Sequence, residues 1–338
     1  MKKLLAFLMA VTFLLSLAAC DRASADSQTT GPTETPPETT VPESPMSDTA
    51  KALGITAENY PRIDGSTSTL DIVRNIWYNM HKEGTEEYDA GDSLEASRTV
   101  PSYHLLIDGE VDMILVTYAS QDVLQAAADA GVELEFHKVA AEALIFITAA
   151  NNTAENITRE QVRSIYLDYG IRSWTKLGGP DRELVPICRN SDSGSQSQMD
   201  NLILENEPMH PDIQNNYVEL TMDGMLQQVA FYHNGGKDFA NPDHPNTYAL
   251  GYTLYSYLQA ENKYSGVGDS LRILNYEGFT PSPENIADGT YPLSDGYYAV
   301  VRTDLPEDHT ARAVIRWLQS DEGVRQIESL GMISCKAE

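Results

Sequence analysis

Cysteine is scarce in this chain, three residues in 338, which excludes a scaffold held together by a dense disulfide framework. The seven histidines are scattered, and no Cys/His spacing of the zinc type occurs. A metal site therefore has no support, and nothing calls for a cofactor. Basic residues are also few, 23 Lys and Arg against 50 Asp and Glu. That balance argues against nucleic acid and against an anionic membrane surface as partners. It leaves room for a small anionic ligand, because a recessed site responds to its nearest dipoles more than to distant, salt-screened charge. There is no Gly-x-Ser-x-Gly elbow, no His-Glu-x-x-His pair and no Walker loop, so the chain reads as a non-enzyme. No repeat of fixed period is evident.

The one long apolar run lies at the N-terminus. Lys2 and Lys3 precede Leu4 to Ala19, a run short for a membrane span that ends in Leu17-Ala18-Ala19-Cys20. Residues 1–19 are therefore expected to be a signal peptide. The final tetrad resembles the lipobox of bacterial lipoproteins, which implies that Cys20 carries a diacylglyceryl group and becomes the first residue of the mature chain. The alternative is a soluble secreted protein cut after a small residue. Two acyl chains would hold the protein stably on the outer face of the cell membrane. Residues 20–54 are rich in Ser, Thr, Pro, Asp and Glu, bury too little apolar surface to offset ordering entropy, and read as a disordered tether. With Cys20 assigned to lipid, Cys188 and Cys335 could pair, but their settings favour two free thiols.

The remainder, from about Ile55, is long enough for two lobes with separate cores. Leu70, Val73, Ile76, Trp77 and Met80 recur at helical spacing and predict a helix over 67–81. Strands are expected over 111–116, 144–148, 184–188, 249–255 and 297–301. Helices are expected over 121–131, 158–166, 196–204 and a closing stretch, 310–330. This alternation is an α/β pattern.

Two segments carry the chemistry. Gly65-Ser66-Thr67-Ser68-Thr69 and Arg189-Asn190-Ser191-Asp192-Ser193-Gly194-Ser195-Gln196 each place small hydroxyl residues and a glycine just before a periodic helix. Free N–H groups at a helix start, with a partial positive charge of roughly half a unit, make an anion site. The second segment adds an arginine. Neither has a histidine nearby in sequence.

These segments, with Asn156-Ile157-Thr158 through Gln161-Val162 and Ile165-Tyr166 to Trp174 and Leu177-Gly178-Gly179, and with Tyr291-Pro292-Leu293 before Tyr297-Tyr298-Ala299-Val300, stand in an order that resembles the type II periplasmic substrate-binding proteins. Within that group the chain is similar to the phosphate-binding lipoproteins of ABC importers. The resemblance runs from about Tyr60 to Ile333. It implies a two-lobe α/β fold with mixed sheets flanked by helices and a hinged cleft. Lobe one would combine residues 55–146 and 252–338, and lobe two residues 147–251, the chain crossing near Leu144 to Thr148 and near Ala249 to Tyr255.

The resemblance further implies an extracytoplasmic, monomeric solute receptor that hands an inorganic oxyanion, phosphate first, to an ABC permease. A surface sensor or interaction lipoprotein with a different or no small ligand is the alternative. Ser66, Thr67 and Ser68 would donate from one lobe, one of them also capping its helix. From the other, Arg189 would make a charge-assisted contact and Ser193, Gly194 and Ser195 would complete the shell. Asp192 is expected to orient Arg189. The family's phosphate binders usually carry an aspartate where Thr117 stands, so Thr117 is a site residue that can donate or accept but cannot demand a protonated ligand. Asp64 and Glu142 are possible substitutes for that acid, with a solvated or capping role preferred for both.

Overall fold

The structure is a computed structural model that describes residues 44–231 and 247–335. The expected signal peptide, Cys20 and all but the end of the tether lie outside the described residues. Twelve strands are present among them. They are β1 (Ile63–Gly65), β2 (Met113–Thr117), β3 (Leu134–Ala149), β4 (Asn156–Ile157), β5 (Glu183–Pro186), β6 (Cys188–Arg189), β7 (Val218–Glu219), β8 (Thr247–Leu254), β9 (Leu271–Ile273), β10 (Asn275–Tyr276), β11 (Ser294–Arg302) and β12 (Ile333–Ser334). The helices that matter below are α1 (Leu70–Met80), α2 (Thr99–Ile107), α3 (Gln121–Asp129), α4 (Arg159–Tyr166), α5 (Gly194–Met199), α6 (Tyr255–Ser265), α7 (Thr310–Leu318) and α8 (Asp321–Ser329).

The central sheet runs β1-β2-β11-β3-β8-β5, with β9 and β12 also paired to β3. β1 with β2 and β5 with β8 are parallel, while β11 lies antiparallel to both β2 and β3. The sheet is thus mixed and flanked by helices, an α/β fold of the kind expected. Its sixteen-residue strand β3 joins two packing regions. One end pairs with β11 and the other with β8, in the register Leu144↔Leu254 to Thr148↔Leu250.

Each end of the sheet has its own core. Near β1, β2 and β11, the stripe Ile72, Val73, Ile76 and Met80 of α1 packs with Met113, Leu115, Ala299, Val314, Trp317 and Ile327. Each such side chain stabilises the fold by roughly 1.5–3 kcal/mol through its burial. On the opposite face of the same strands, Ile114, Val116 and Val300 meet Tyr103 and Leu106 of α2 and Val123 of α3. A separate core gathers Phe146 and Ile147 of β3, Leu250 and Tyr252 of β8, Val162, Ile165 and Tyr166 of α4, and Trp174.

The second core is larger than expected. Leu258, Leu271, Leu274, Tyr276, Ile286, Tyr291 and Leu293 belong to it, although residues after 252 were assigned to lobe one. The reason is that α6 turns back after Leu254 and that β9 pairs with β3 at Ile147 to Ala149. The first core takes Leu254 from the end of β8, has Tyr257 of α6 packed against it, and gains Tyr297, Ala299 and Val301 from β11.

Local chemistry explains most boundaries. Thr158 Oγ1 accepts from Gln161 N–H at 3.2 Å and Gln161 Oε1 accepts from Thr158 N–H at 2.9 Å, a capping box that starts α4. The expected closing helical stretch consists of two helices, because Ser320 Oγ accepts from Gly323 N–H at 3.3 Å and so starts α8 afresh. Cys188 is buried, Cys335 is partly buried, and both are free.

Candidate functional site

Parallel strands end beside one another, and the segments that leave them can converge. Gly65 closes β1 against Leu115 of β2, and the chain then turns through a short 3-10 stretch, Thr67–Thr69, into α1. A Cβ at Gly65 would lie 2.9 Å from the Leu115 carbonyl oxygen, so only glycine fits this approach. Ser66 donates its N–H to Thr69 Oγ1 at 2.9 Å, while Thr69 Oγ1 donates to Leu115 O at 2.5 Å. The Ser66 and Ser68 hydroxyls lie 3.0 Å apart. Both residues are buried, and Thr67 between them is exposed.

The second segment leaves β6, whose Arg189 pairs in parallel with Glu219 of β7. Arg189 is only 7 % exposed. Its Nε donates to Glu219 O at 3.0 Å, Nη2 to Leu220 O at 3.3 Å and Nη1 to Ser195 Oγ at 3.4 Å. Its own N–H donates to the Tyr252 hydroxyl at 2.9 Å. Burial pulls the guanidinium pKa down, opposed by Tyr252, Glu219, Tyr257 and Asp223. Arginine keeps its charge under such a pull. Ser193 and Ser195 hydroxyls are 3.0 Å apart at the start of α5.

These two segments face one recess of about 160 Å³. Ser66, Thr67, Ser68, Arg189, Ser193 and Gly194 all line it. Ser195 and Thr117 stand behind its wall, both fully buried. Thr117 Oγ1 has no hydrogen-bond partner and lies 2.7 Å from where a Cβ on Gly194 would sit. A fully buried hydroxyl without a partner is costly, and here it stands directly beneath the glycine that starts α5.

Two expectations require correction or refinement. Asp192 does not orient Arg189; its Oδ2 lies 3.2 Å from Nη1 of Arg98. Arg189 is turned instead toward the carbonyls of Glu219 and Leu220, because β6 runs alongside β7. Asp64 accepts from Ser97 N–H and the Ser102 hydroxyl, both at 3.1 Å, and so anchors the chain that enters α2. Glu142 is fully buried and accepts from Ala143 N–H at 2.8 Å and Ser256 N–H at 3.0 Å, a capping position at the first turn of α6.

Arg98 and Thr99 were missed. Both line the recess, at the start of a third helix, α2. Arg98 has φ +76°, an uncommon left-handed backbone for a side-chain-bearing residue and a frequent mark of a functional turn. The two arginines of the recess are balanced by Asp192 and Asp223. Recognition of an anion would therefore fall on hydroxyls, N–H groups and local dipoles rather than on net charge. Among the described residues no group of three or more His, Cys, Asp or Glu is placed to hold a metal.

Known proteins of similar sequence and shape were found. The family described as PBP superfamily domain matches residues 51–322. The phosphate-binding protein PstS of Borreliella burgdorferi is 24% identical over 283 residues, covering 82% of this chain and 91% of its own. The phosphate-binding protein PstS of Bacillus subtilis is 21% identical over 157 residues, covering 46% of this chain and 43% of its own. The crystal structure of an ABC-type phosphate transport receptor from Vibrio cholerae superposes with a TM-score of 0.57 at 20% identity, covering 81% of this chain and 99% of that one. That likeness shows the fold.

Proposed function

The chain belongs to the PBP superfamily, and from that premise we propose that it is an extracytoplasmic receptor that captures phosphate and delivers it to an ABC permease without altering it. The observation that carries this reading is the meeting of Ser66, Thr67 and Ser68 with Arg189, Ser193 and Gly194 in one recess. Its volume of about 160 Å³ suits a small ion, whereas sites for drug-sized ligands run roughly 300–1,000 Å³. The relatives in Borreliella burgdorferi and Bacillus subtilis are named for phosphate binding, which supports the choice of anion.

In this reading the anion is held by hydroxyls and N–H groups of the Ser66 turn on one side and by Arg189 and the Ser193–Ser195 turn on the other. Thr117 and Ser195 complete the shell from behind. The two cores, joined by β3, β8 and β11, act as lobes that close on the ligand. No step breaks a bond, and the receptor is not an enzyme. Residues 1–19 direct export, Cys20 carries the lipid, and the folded part acts as a monomer on the outer face of the membrane. No helix of the described residues is long and apolar enough to cross a membrane.

A thermal-shift screen of residues 44–338 against phosphate, sulfate and molybdate tests the proposal. Phosphate should raise the melting temperature in a saturable way, by mass action. No response to any of the three would overturn it.

A further inference from the structure

We propose that a second cavity, bordered by the start of α3 and the end of α5, binds a small organic cation that carries a primary ammonium or a guanidinium group. It shares Arg189 and Asn190 with the anion recess and is otherwise separate from it.

The cavity holds about 430 Å³, within the range of roughly 300–1,000 Å³ for small-molecule sites. Two parts of the fold supply its polar wall. Ser120, Gln121 and Asp122 stand at the start of α3, while Asn190, Gln196 and Asp200 come from the segment that leaves β6 and from α5 and its end. After Met199 the helix continues as a wider π turn, Asp200–Leu204, a form often found at functional sites.

Acceptors in that wall lack donors. Ser120 is 7 % exposed and its Oγ has no hydrogen-bond partner, although it stands at the N-cap of α3, where such a hydroxyl ordinarily accepts from the helix. Asn190 Oδ1 is buried and has no partner either. Asp200 Oδ1 accepts from Gln196 Nε2 at 2.9 Å, and the other end of Gln196 is spent on the Tyr252 hydroxyl. Buried acceptors left unpaired are costly, and these call for a ligand that donates.

Charge points the same way. Asp122, Asp200 and Glu207 line the cavity together with Arg189. Glu207 is paired with Arg163, and the Arg189 fork is taken up by Glu219 O, Leu220 O and Ser195 Oγ. The start of α3 adds a partial positive charge, which Asp122 in its first turn offsets. Burial, with Asp122 adding to it, pushes the Asp200 carboxyl up to about 6 against the hydrogen bond from Gln196. That is the cost of a buried acid that meets no cation, and a bound ammonium would offset it. The acids of the lining form no group that could hold a metal ion, so the ligand that fits is organic.

Calorimetric titration of the wild type with putrescine and with agmatine, in a phosphate-free buffer of low ionic strength, tests the site, with butanediol as the uncharged control. At least one of the two cations should bind saturably, and the diol should not bind. Asp200→Asn should weaken the cation at least about tenfold, the order of a lost charged hydrogen bond. No binding of either cation would overturn the proposal. Equal affinities in wild type and Asp200→Asn would overturn it too, by placing the cations on the acidic surface at large, where 50 acidic residues outnumber 23 basic ones. Circular dichroism checks the fold of the variant. Should Asp200→Asn fail to fold, Ser120→Ala decides, with a several-fold loss expected and an unchanged affinity overturning the proposal. None of these outcomes bears on phosphate capture, which the anion screen decides by itself.

Discussion

Nη1 of Arg98 lies 3.2 Å from Oδ2 of Asp192, so the residue that precedes α2 is paired with one that precedes α5 by a single turn. Both line the recess. A pair this exposed contributes little to stability, but its acid faces the place where an anion would sit. Replacing Asp192 by Asn should tighten phosphate binding several-fold at low salt, and Arg98→Ala should weaken it. Titrations at two ionic strengths check this, because the gain should shrink as salt screens the charge. A loss of affinity on Asp192→Asn would contradict it.

Arg189 holds the carbonyls of Glu219 and Leu220 as well as lining the recess. Its truncation to Ala should weaken phosphate binding by about 1–3 kcal/mol, the order of a lost charged hydrogen bond. Arg189→Lys should recover only part of that, because a lysine cannot reproduce the fork that spans Glu219 O, Leu220 O and Ser195 Oγ. Equal affinities for wild type and Arg189→Lys would show that charge alone suffices.

Gly194 is a site where one methyl group matters. A Cβ there would sit 2.7 Å from Thr117 Oγ1 and 2.8 Å from Thr99 Oγ1. Gly194→Ala should cost about 1–3 kcal/mol of stability by overpacking, and should reduce anion affinity at least about tenfold by moving the start of α5. Denaturant melts and calorimetry on the same variant separate the two effects.

Asp200 gives the stability a distinctive pH dependence. Burial pushes its carboxyl up to about 6, with Asp122 adding to the rise and the hydrogen bond from Gln196 opposing it. An acid whose folded pKa is raised contributes stability that is present below its unfolded pKa, near 4, and lost as pH rises through 6. Asp200→Asn should therefore melt above the wild type at pH 7.5, by an amount on the order of 1–2 kcal/mol, with the gap closing towards pH 4. A gap that widened at low pH would reverse the sign and contradict the assignment.

The two loops of the recess were legible because their signal is local. Small hydroxyls and a glycine before an apolar-periodic helix state a helix start and a space for an anion in a few residues. Arg98 was not legible, since its place depends on a left-handed backbone and on a partner from a distant loop. The helix that follows it is hard to read because Pro101 lies in its first turn and its polar residues, Thr99, Ser102 and His104, do not fall on one face of TVPSYHLLI. Asp192 was misjudged because nearness in sequence stood in for nearness in space; the pairing of β6 with β7 sends Arg189 the other way. The extent of the second core turns on where α6 and β9 pack, a tertiary choice that no short motif records. The closing helical stretch over 310–330 is present as two helices, divided at Ser320, whose capping role shows only when the apolar stripe is read in two parts.

A crystal structure grown in phosphate tests the central claim most directly. The account predicts a tetrahedral anion in the recess, within hydrogen-bond distance of groups from both the Ser66–Ser68 turn and the Arg189–Ser195 segment. An anion held elsewhere, or a recess closed by side chains under saturating phosphate, would contradict it.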